Sequence, residues 1–255
     1  MKVYYWSPFI SKVATVNAVL NSIISIKKFS KKKIDLSIIN VFKEWDLYNE
    51  EIKKNQIECI NLNSLLNIRY LPKKGFLKSR FTYFITFICS ILSLHNLLKR
   101  QSPDFLLIHL ISSIPLSLII FFNYKTSFIL RVSGYPKLNF IRRFFWKTAG
   151  KKIDKIFCPT QLTKDFLVKE KIFSEKKIFL VHDPIIETKK IKISLKNKID
   201  QNENYLNNTK YIISIGRLSK QKNFNFLIDS FKIVAENKDI KLVIIGQGEQ
   251  KKFLI

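Results

Sequence analysis

The chain has 255 residues, of which 47% are hydrophobic, and a formal net charge of +26 at pH 7. This length allows one large or two modest domains with a sizeable core. The charge favours anionic partners such as phosphate groups, an acidic membrane surface or nucleic acid. Three cysteines, Cys59, Cys89 and Cys158, lack metal-ligand spacing, which excludes a zinc-finger type of site. We expect no metal and no other cofactor. We interpret the cysteines as reduced residues of a cytoplasmic protein, since no secretory signal pattern follows Met1.

Strand-like and helical segments alternate along residues 1–187. The predicted strands are 2–6, 34–41, 57–60, 105–110, 127–133, 154–158 and 177–181. Helical periodicity follows the first strand, and Thr160 is the expected N-cap of the helix after residue 158. This alternation favours a parallel α/β sheet of the Rossmann-like type.

Two loops follow strands at the edge where such sheets bind ligands. The loop after the first strand contains Ser7, Pro8, Phe9, Ser11 and Lys12. The end of the fifth strand and the loop that follows it contain Ser133 and Gly134. We predict that both loops face a ligand, although an ordinary capped loop explains the first one equally well.

Two apolar runs, 81–98 and 105–122, allow a membrane-spanning helical hairpin as an alternative. The first run contains several Ser and Thr residues, which disfavour a span. The second fits a strand followed by a helix that begins near Pro115. We therefore favour a first helix that lies on a bilayer surface, flanked by Lys73, Lys74, Lys78 and Arg80.

A further strand–loop–helix–strand unit occupies residues 211–248. The loop contains Gly216, Arg217, Lys222 and Asn223, and the second strand ends at Gly246 and Gly248. Two cations at the start of a helix suit a diphosphate, because the helix N-terminus adds free N–H groups and a positive dipole end. In such a lysine-rich chain, a solvated loop is the alternative.

This stretch, SIGRLSKQKNFNFLIDSFKIVAENKDIKLVIIGQGE, resembles the donor-nucleotide domain of the retaining family-4 glycosyltransferases, which have the GT-B fold. The resemblance implies that Arg217 and Lys222 hold the diphosphate of a nucleotide sugar. It also implies a polysaccharide or lipid-linked acceptor, as in cell-envelope or lipopolysaccharide synthesis, and contacts from the loops at 7–12 and 133–134 to that acceptor. The histidine that the family commonly has near the reacting sugar is replaced by Ser133 and Gly134, so no catalytic residue is assigned.

The resemblance predicts three parts: a near-complete Rossmann-like domain at 1–187, a linker at 188–208 and a partial donor domain at 209–255. The family's later E-x7-E segment lies outside the sequence, so we expect a truncated donor domain, inactive alone unless another polypeptide supplies the remainder. We expect a peripheral protein at the inner face of the cytoplasmic membrane, bound to anionic lipid. A non-catalytic remnant is the main alternative. Nucleic acid is not expected as a partner, because zinc spacing and RNP-like aromatic strands are missing.

Overall fold

The computed structural model describes residues 1–10, 14–62, 67, 76–184, 188–196, 210–236 and 238–254, with the backbone alone for 76–80 and 189–190. The predicted site residues Ser11 and Lys12, and the predicted basic flank at Lys73 and Lys74, lie outside this description. So do the side chains of Lys78 and Arg80. The chain divides into two units, Met1–Ile186 (unit 1) and Glu187–Ile255 (unit 2).

Unit 1 contains, within its described residues, a seven-stranded parallel sheet with the order β3-β2-β1-β4-β5-β6-β7. Its strands are β1 Lys2–Trp6, β2 Asp35–Asn40, β3 Glu58–Asn61, β4 Phe105–Ile108, β5 Ser127–Arg131, β6 Lys155–Cys158 and β7 Ile178–Leu180. The strand order reverses at β1, which pairs in parallel with β2 on one side and with β4 on the other. The prediction of a parallel Rossmann-like sheet is confirmed.

The helices in the described part of unit 1 connect these strands. They are α1 Ala14–Phe29, α2 Asn49–Lys54, α3 Phe76–Gln101, α4 Ser113–Phe121, α5 Phe140–Gly150 and α6 Gln161–Lys169. Short 3-10 turns cover Glu44–Tyr48 and Glu175–Lys177. Thr160 caps α6 as predicted, because its side chain accepts a hydrogen bond from the Thr163 N–H at 3.3 Å. Asn139 caps α5 in the same way.

Alternate residues of β1, β2 and β4 enter two separate cores, because successive side chains point to opposite faces of a sheet. Tyr4 and Leu106 face the core built with α3, α4 and α5. Val3 and Ile38 face the core built with α1, where Val16 and Ile23 are fully buried. Because the strands of this sheet pair in parallel, their carboxyl ends lie at one edge of the sheet.

The membrane hairpin is wrong as an alternative for the second apolar run. Residues 105–108 form β4 in the middle of the sheet, paired with β1 and β5. The helix that follows has nine residues, about half of the length that crosses a bilayer. The run is apolar because strand and helix are both buried.

Unit 2 contains α7 Thr188–Ser194, β8 Lys210–Ile215, a 3-10 turn at Lys220–Lys222, α8 Phe224–Ala235, β9 Ile240–Ile245 and α9 Lys251–Leu254. Strands β8 and β9 pair in parallel, from Lys210 with Ile240 to Ile215 with Ile245. The predicted linker thus includes a short helix. All described side chains of this helix are exposed, so the helix buries no apolar face. The sequence therefore lacks the apolar periodicity by which a helix could have been predicted there.

Candidate functional site

The loops after β8 and β9 in unit 2 lie against each other through backbone hydrogen bonds. The Gly216 N–H donates to the Ile245 carbonyl at 3.0 Å, and the Leu218 N–H donates to the Gln247 carbonyl at 3.0 Å. The Gln250 N–H returns to the Leu218 carbonyl, also at 3.0 Å. These bonds extend the strand ladder into the loops and fix the backbone around Arg217.

Two glycines make this close approach possible. A Cβ on Gly246 would lie 1.9 Å from the Gly216 carbonyl oxygen, and one on Gly248 would lie 2.1 Å from the Leu218 carbonyl oxygen. Both glycines are therefore required by packing of backbone on backbone. Gly216 differs, because the nearest atom to a Cβ there would be at the ring edge of Phe224, at 3.4 Å. The two glycines of the β9 turn thus shape the loop that carries the predicted diphosphate residues.

The predicted cation pair lies on the loop between β8 and α8. Arg217 is 68% exposed, and its Nη2 lies 3.5 Å from the Glu249 carboxylate. Lys222 is exposed and ends the 3-10 turn, with its backbone N–H bonded to the Ser219 carbonyl at 3.0 Å. Both residues thus occupy the loop at the carboxyl end of β8, where parallel sheets bind ligands.

Asn223 is the N-cap residue of α8 and has left-handed backbone angles, φ 51° and ψ 48°. Asparagine tolerates this conformation better than most residues. Its side chain does not cap the helix in the structure. The side chain of Asn223 therefore does not occupy the N–H groups in the first turn of α8. An anion site at a helix N-terminus uses such N–H groups as donors.

A cavity of about 260 Å³ adjoins this helix start. It is lined by Ser219, Lys220, Asn223, Phe224, Asn225, Gln250 and Leu254. Ser219 and Lys220 belong to the segment between Arg217 and Lys222, so the cavity borders the predicted diphosphate loop. Its polar rim at Asn223 and Asn225 suits hydroxyl or phosphate oxygens.

The two predicted acceptor loops of unit 1 differ from each other. Ser7, Pro8 and Phe9 are buried, and the Phe9 ring packs edge-on against Trp45, with ring centroids 5.2 Å apart. Ser133 is exposed, and Gly134 has a φ of +115°, with open space within 4 Å of the position that a Cβ would take. Among the described residues of these two loops, Ser133 is therefore accessible while Ser7, Pro8 and Phe9 are not, and Gly134 is needed for a backbone conformation that other residues rarely adopt.

Several buried polar groups at the same edge of unit 1 were missed by sequence reasoning. His109 directly follows β4, and Arg131, the last residue of β5, forms a two-bond ion pair with Asp183. Burial, and secondarily the charge of Arg131, lowers the pKa of His109 to about 3. The available signal was a histidine and an arginine at the ends of otherwise apolar strands.

Glu44 is a second missed group, located just after β2. Its carboxyl accepts hydrogen bonds from the Val41 and Phe42 N–H groups, at 3.2 and 2.8 Å. Burial raises the pKa of Glu44 to about 8, although these hydrogen bonds act in the opposite direction. Within the described residues, no group of three or more His, Cys, Asp or Glu side chains is arranged to hold a metal ion.

Comparisons with known proteins extend these observations. Residues 195–255 match the family model described as glycosyl transferases group 1. A comparison of the sequence with curated proteins finds no match. The family match therefore covers β8, α8, β9 and the loops between them.

Solved structures with the same fold cover nearly all of the chain. A putative UDP-N-acetylglucosamine 2-epimerase from Listeria monocytogenes aligns with a TM-score of 0.61 and 14% identity, over 95% of this chain and 62% of its own. The UDP-GlcNAc 2-epimerase from Neisseria meningitidis, bound to UDP-GlcNAc, aligns with a TM-score of 0.57 and 15% identity, over 95% and 64%. A glycosyltransferase from Rickettsia africae aligns with a TM-score of 0.53 and 12% identity, over 96% and 68%.

These similarities establish the architecture, a GT-B-like α/β fold built from Rossmann-like units. The chain spans less than two thirds of the length of the two epimerases. Epimerases and a glycosyltransferase share the fold, so the fold alone does not define a reaction.

Proposed function

We propose that the chain functions in sugar transfer from a nucleoside-diphosphate sugar. The match of residues 195–255 to the group 1 glycosyl transferases carries this proposal, because it covers the loop with both predicted diphosphate cations. The Neisseria neighbour binds UDP-GlcNAc, which supports a nucleotide sugar as the partner. From the resembled family we extend the proposal to a retaining reaction, with a polysaccharide or lipid-linked acceptor in cell-envelope glycan synthesis.

The proposed mechanism is electrostatic. Negative charge grows on the diphosphate as the bond to the sugar breaks, and donors placed there in advance stabilise the transition state. Arg217 offers a planar fork for two phosphate oxygens, while Lys222 adds a point charge. The free N–H groups at the start of α8 complete the cradle.

The ion pair between Arg217 and Glu249 is consistent with this role. Both side chains are more than half exposed and 3.5 Å apart, so water screens their attraction and the pair contributes little stability. A diphosphate carries more negative charge than one carboxylate, and its oxygens accept two parallel hydrogen bonds from the N–H groups of the guanidinium. We expect it to displace Glu249.

Nucleoside diphosphate binding tests the proposal. Each charge-assisted contact is worth about 1.5–3 kcal/mol, so two exposed contacts predict a dissociation constant of about the millimolar scale. UDP, GDP and ADP should bind with similar strength, and Arg217→Ala combined with Lys222→Ala should abolish the binding. The matched control is Lys210→Ala combined with Lys238→Ala, two exposed lysines at the amino ends of β8 and β9, at the opposite edge of the two-stranded sheet.

Two results would contradict the proposal. Equal binding by the wild type and the double variant would assign the cations to a solvated loop. Equal loss in the control with Lys210→Ala and Lys238→Ala would assign the binding to net charge. Either result would favour the alternative, a non-catalytic protein that keeps the fold and a membrane surface.

We also propose that unit 1 binds the surface of an anionic membrane, at the inner face of the cytoplasmic membrane. The observation that favours this is the pattern over residues 81–92 of α3, where polar side chains are buried and large apolar ones are exposed. Its buried side contains Thr82, Thr86 and Ser90, whereas its exposed side contains Phe81, Phe84, Ile88 and Leu92. An exposed apolar stripe on a long helix is typical of interaction with a membrane or partner.

Among the described residues, one helical segment, Phe81–Gln101, is long and apolar enough to cross a membrane by length and composition. However, Leu94 and Leu98 belong to the core of unit 1, and α3 packs on α4. A spanning helix would uncover that core, so we propose surface attachment.

Helix α5 adds a second apolar and basic surface to the same layer of helices. Phe140, Ile141 and Phe144 are exposed there, next to the exposed cations Arg142 and Lys147. Apolar side chains enter the headgroup region of a bilayer. Basic side chains are attracted to anionic lipid, and each Lys or Arg near the surface contributes about 1 kcal/mol to the binding free energy. This combination favours anionic vesicles over neutral ones.

Vesicle co-sedimentation tests the membrane proposal. Binding should rise with the fraction of anionic lipid and fall with salt. Leu92→Ser should weaken binding several-fold, whereas Ile233→Ser on α8, equally exposed at 76% against 71%, should not. Equal binding to neutral vesicles at high salt, or equal effects of both variants, would overturn the proposal.

A further inference from the structure

The segments that lead into the strands of unit 1 carry a series of basic side chains. Each of the seven strands is preceded by at least one exposed lysine, or begins with one in the case of β1. Because the strands are parallel, their amino ends lie at one edge of the sheet, opposite the edge with the predicted acceptor loops. We call these cations the amino-edge band: Lys2, Lys31, Lys32, Lys33, Lys53, Lys54, Lys99, Arg100, Lys125, Lys151, Lys152 and Lys176.

The opposite edge of the sheet has a different charge. In the described segments between each strand and the helix that follows it, the lysines are Lys43 and Lys137, and the carboxyl groups are Glu44, Asp46 and Asp183. A lysine-rich composition alone would place cations at both edges equally. The amino-edge band therefore reflects where the lysines lie in the fold, in addition to their number.

Helix dipoles explain only a part of the band. Lys53 and Lys54 occupy the last turn of α2, where cations stabilise the carbonyl end of a helix. This effect falls off beyond the last turn. Lys33 and Lys125 lie beyond the last turns of α1 and α4, and Lys2 belongs to a strand. The stability of helix ends therefore does not account for these cations.

The positive charge of the band is not compensated locally. Within the part of the chain that the structure describes, no cation of the band forms an ion pair. Asp104 and Asp154 at this edge accept backbone N–H groups instead, from Lys2 at 2.7 Å and from Phe128 at 2.8 Å. Lys152 donates to carbonyls at the end of α4, at 3.3 Å, and these acceptors carry no net charge. The other described carboxyl groups at this edge are fewer than the cations: Asp35, Glu58, Glu170 and Glu175.

The shape of the band favours a linear partner. Seven neighbouring strands about 4.8 Å apart give it a length of about 29 Å. The helices α3 and α5, proposed above to contact a bilayer, pack on a face of the sheet, so the strand ends lie at about a right angle to the outer surface of that helix layer. A flat bilayer on the helix layer does not cover the band as well. An extended polymer with repeated negative charges follows the band along its whole length.

The side chains of the band indicate the type of polymer. All but one of its cations are lysines, point charges that attract carboxylate and phosphate groups without the planar fork that makes arginine the residue of choice for nucleic acid. Phe29 and Phe121 are 72% and 77% exposed at the same edge, at the ends of α1 and α4. Their rings offer apolar surface to the C–H faces of sugars.

We propose that the amino-edge band binds an anionic polysaccharide, a linear chain of sugars that carries carboxylate or phosphate groups. The choice of a sugar polymer rests on the proposed function, and it narrows the acceptor or product of that reaction to an acidic glycan. The five residues of β1 separate the two edges of the sheet by about 17 Å. A polymer longer than this is able to contact the band and the ligand edge together.

Titration of the full chain with acidic oligosaccharides tests the proposal. The probes are oligogalacturonates and phosphorylated dextran oligomers of increasing length, with neutral dextran oligomers of the same lengths for comparison. At least one acidic series should bind saturably and weaken with salt, because exposed charges are screened. Its affinity should rise with length until the oligomer spans about 29 Å. Neutral dextran should bind far more weakly.

Two quadruple variants locate the binding. The band variant combines Lys31→Ala, Lys32→Ala, Lys125→Ala and Lys176→Ala, and the control variant combines Lys210→Ala, Lys238→Ala, Lys241→Ala and Lys252→Ala, exposed lysines of unit 2. Both variants remove the same charge. The band variant should weaken binding on the order of tenfold, since each cation beside a row of anions adds to the affinity, and the control should leave it nearly unchanged. An unaltered urea transition of tryptophan fluorescence shows that unit 1 of the band variant is folded.

UDP binding separates this inference from the proposed function. The band variant should bind UDP as the wild type does, and Arg217→Ala combined with Lys222→Ala should retain binding of the acidic oligomers. If UDP does not bind while the band still binds the acidic oligomers, the donor proposal fails and the band remains a glycan-binding surface.

Five outcomes would overturn the proposal. Equal weakening by both quadruple variants would assign the binding to net charge, and equal affinity for neutral dextran would remove the role of charge. Tighter, band-dependent binding of single-stranded DNA with the same number of charges would make the band a nucleic-acid surface. Weaker binding of the band variant to anionic vesicles, with unchanged glycan binding, would assign the band to the membrane. The absence of binding by both acidic series would leave the lysines as a solvated edge.

Discussion

The two units use the same parallel βαβ elements but bury their strands very differently. In unit 1, Tyr5 and Ile38 are fully buried between helices and neighbouring strands. In unit 2, Ile213 and Ile215 are 48% and 73% exposed, although β8 is as apolar as the central strands of unit 1. Burial of a strand therefore depends on the number of covering layers, since two strands and one crossover helix cannot cover both faces.

The comparison predicts unequal effects for the same type of truncation. Leu106→Ala in the core of unit 1 should reduce the free energy of unfolding by about 2–5 kcal/mol, since it removes a fully buried side chain and leaves a cavity. Ile213→Ala in β8 should cost less than about 1 kcal/mol, because its side chain remains half exposed. Urea unfolding followed by tryptophan fluorescence checks the first effect.

All three tryptophans, Trp6, Trp45 and Trp146, belong to unit 1, so their fluorescence reports that unit specifically. Ile213→Ala should leave the tryptophan transition unchanged. Its effect on unit 2 is measured by hydrogen exchange of the β8 and β9 amides. An equal shift of the tryptophan transition for both variants would contradict the claim that strand burial differs between the two units.

The glycines of unit 2 give the next largest expected effect. Gly246→Ala places a Cβ where the Gly216 carbonyl oxygen lies, so the backbone of one loop must move, at a cost of about 1–3 kcal/mol. Gly216→Ala places its Cβ 3.4 Å from the ring of Phe224, an ordinary van der Waals contact, and is the matched control. Amide spectra of the β8 and β9 loops should change strongly for the first variant and slightly for the second; the reverse order would refute the loop packing.

A pH effect separates the units further, because Glu44 belongs to unit 1. Its pKa is raised to about 8 in the folded state from an ordinary 4.5, so the folded chain keeps a proton that the unfolded chain loses. The contribution of Glu44 to stability should therefore fall as pH rises between about 4.5 and 8. Below about 6.5 the lowered pKa of His109 acts in the opposite direction, so the net decline is expected between about 6.5 and 8.

Glu44→Gln should remove this decline, and Glu51→Gln, an exposed carboxyl on α2, should retain it. The measurement is the urea midpoint of tryptophan fluorescence at several pH values. Above its ordinary pKa of 6.5, His109 is neutral in both states and does not obscure the comparison. A midpoint that declines equally in the wild type and Glu44→Gln would contradict the assignment.

Periodicity and strand spacing were sufficient to predict the sheet of unit 1, since buried parallel strands and amphipathic helices leave strong patterns. The helix at Thr188–Ser194 left none, because its described side chains bury no face. A surface helix was predicted at 81–98, but the run is apolar around most of the helix, so the sequence did not indicate that Phe81, Phe84 and Leu92 would be on the exposed side.

The site was predictable to a smaller extent. One motif predicted the loop with Arg217 and Lys222 together with Gly246 and Gly248. The steric role of the two glycines was not predictable, because it depends on contacts between two loops. The pairing of Arg131 with Asp183 joins residues 52 positions apart. Sequence spacing gives no indication of such a contact without the strand order.

Amide chemical-shift mapping with UDP tests the central claim most directly, because it locates nucleotide binding in one unit or the other. The account predicts shifts concentrated at residues 216–224 and 246–249 of unit 2, with weak, saturable binding. Signals of Ser7–Phe9 and of Ser133 and Gly134 in unit 1 should stay in place. Shifts centred in unit 1, or spread over exposed lysines throughout the chain, would contradict it.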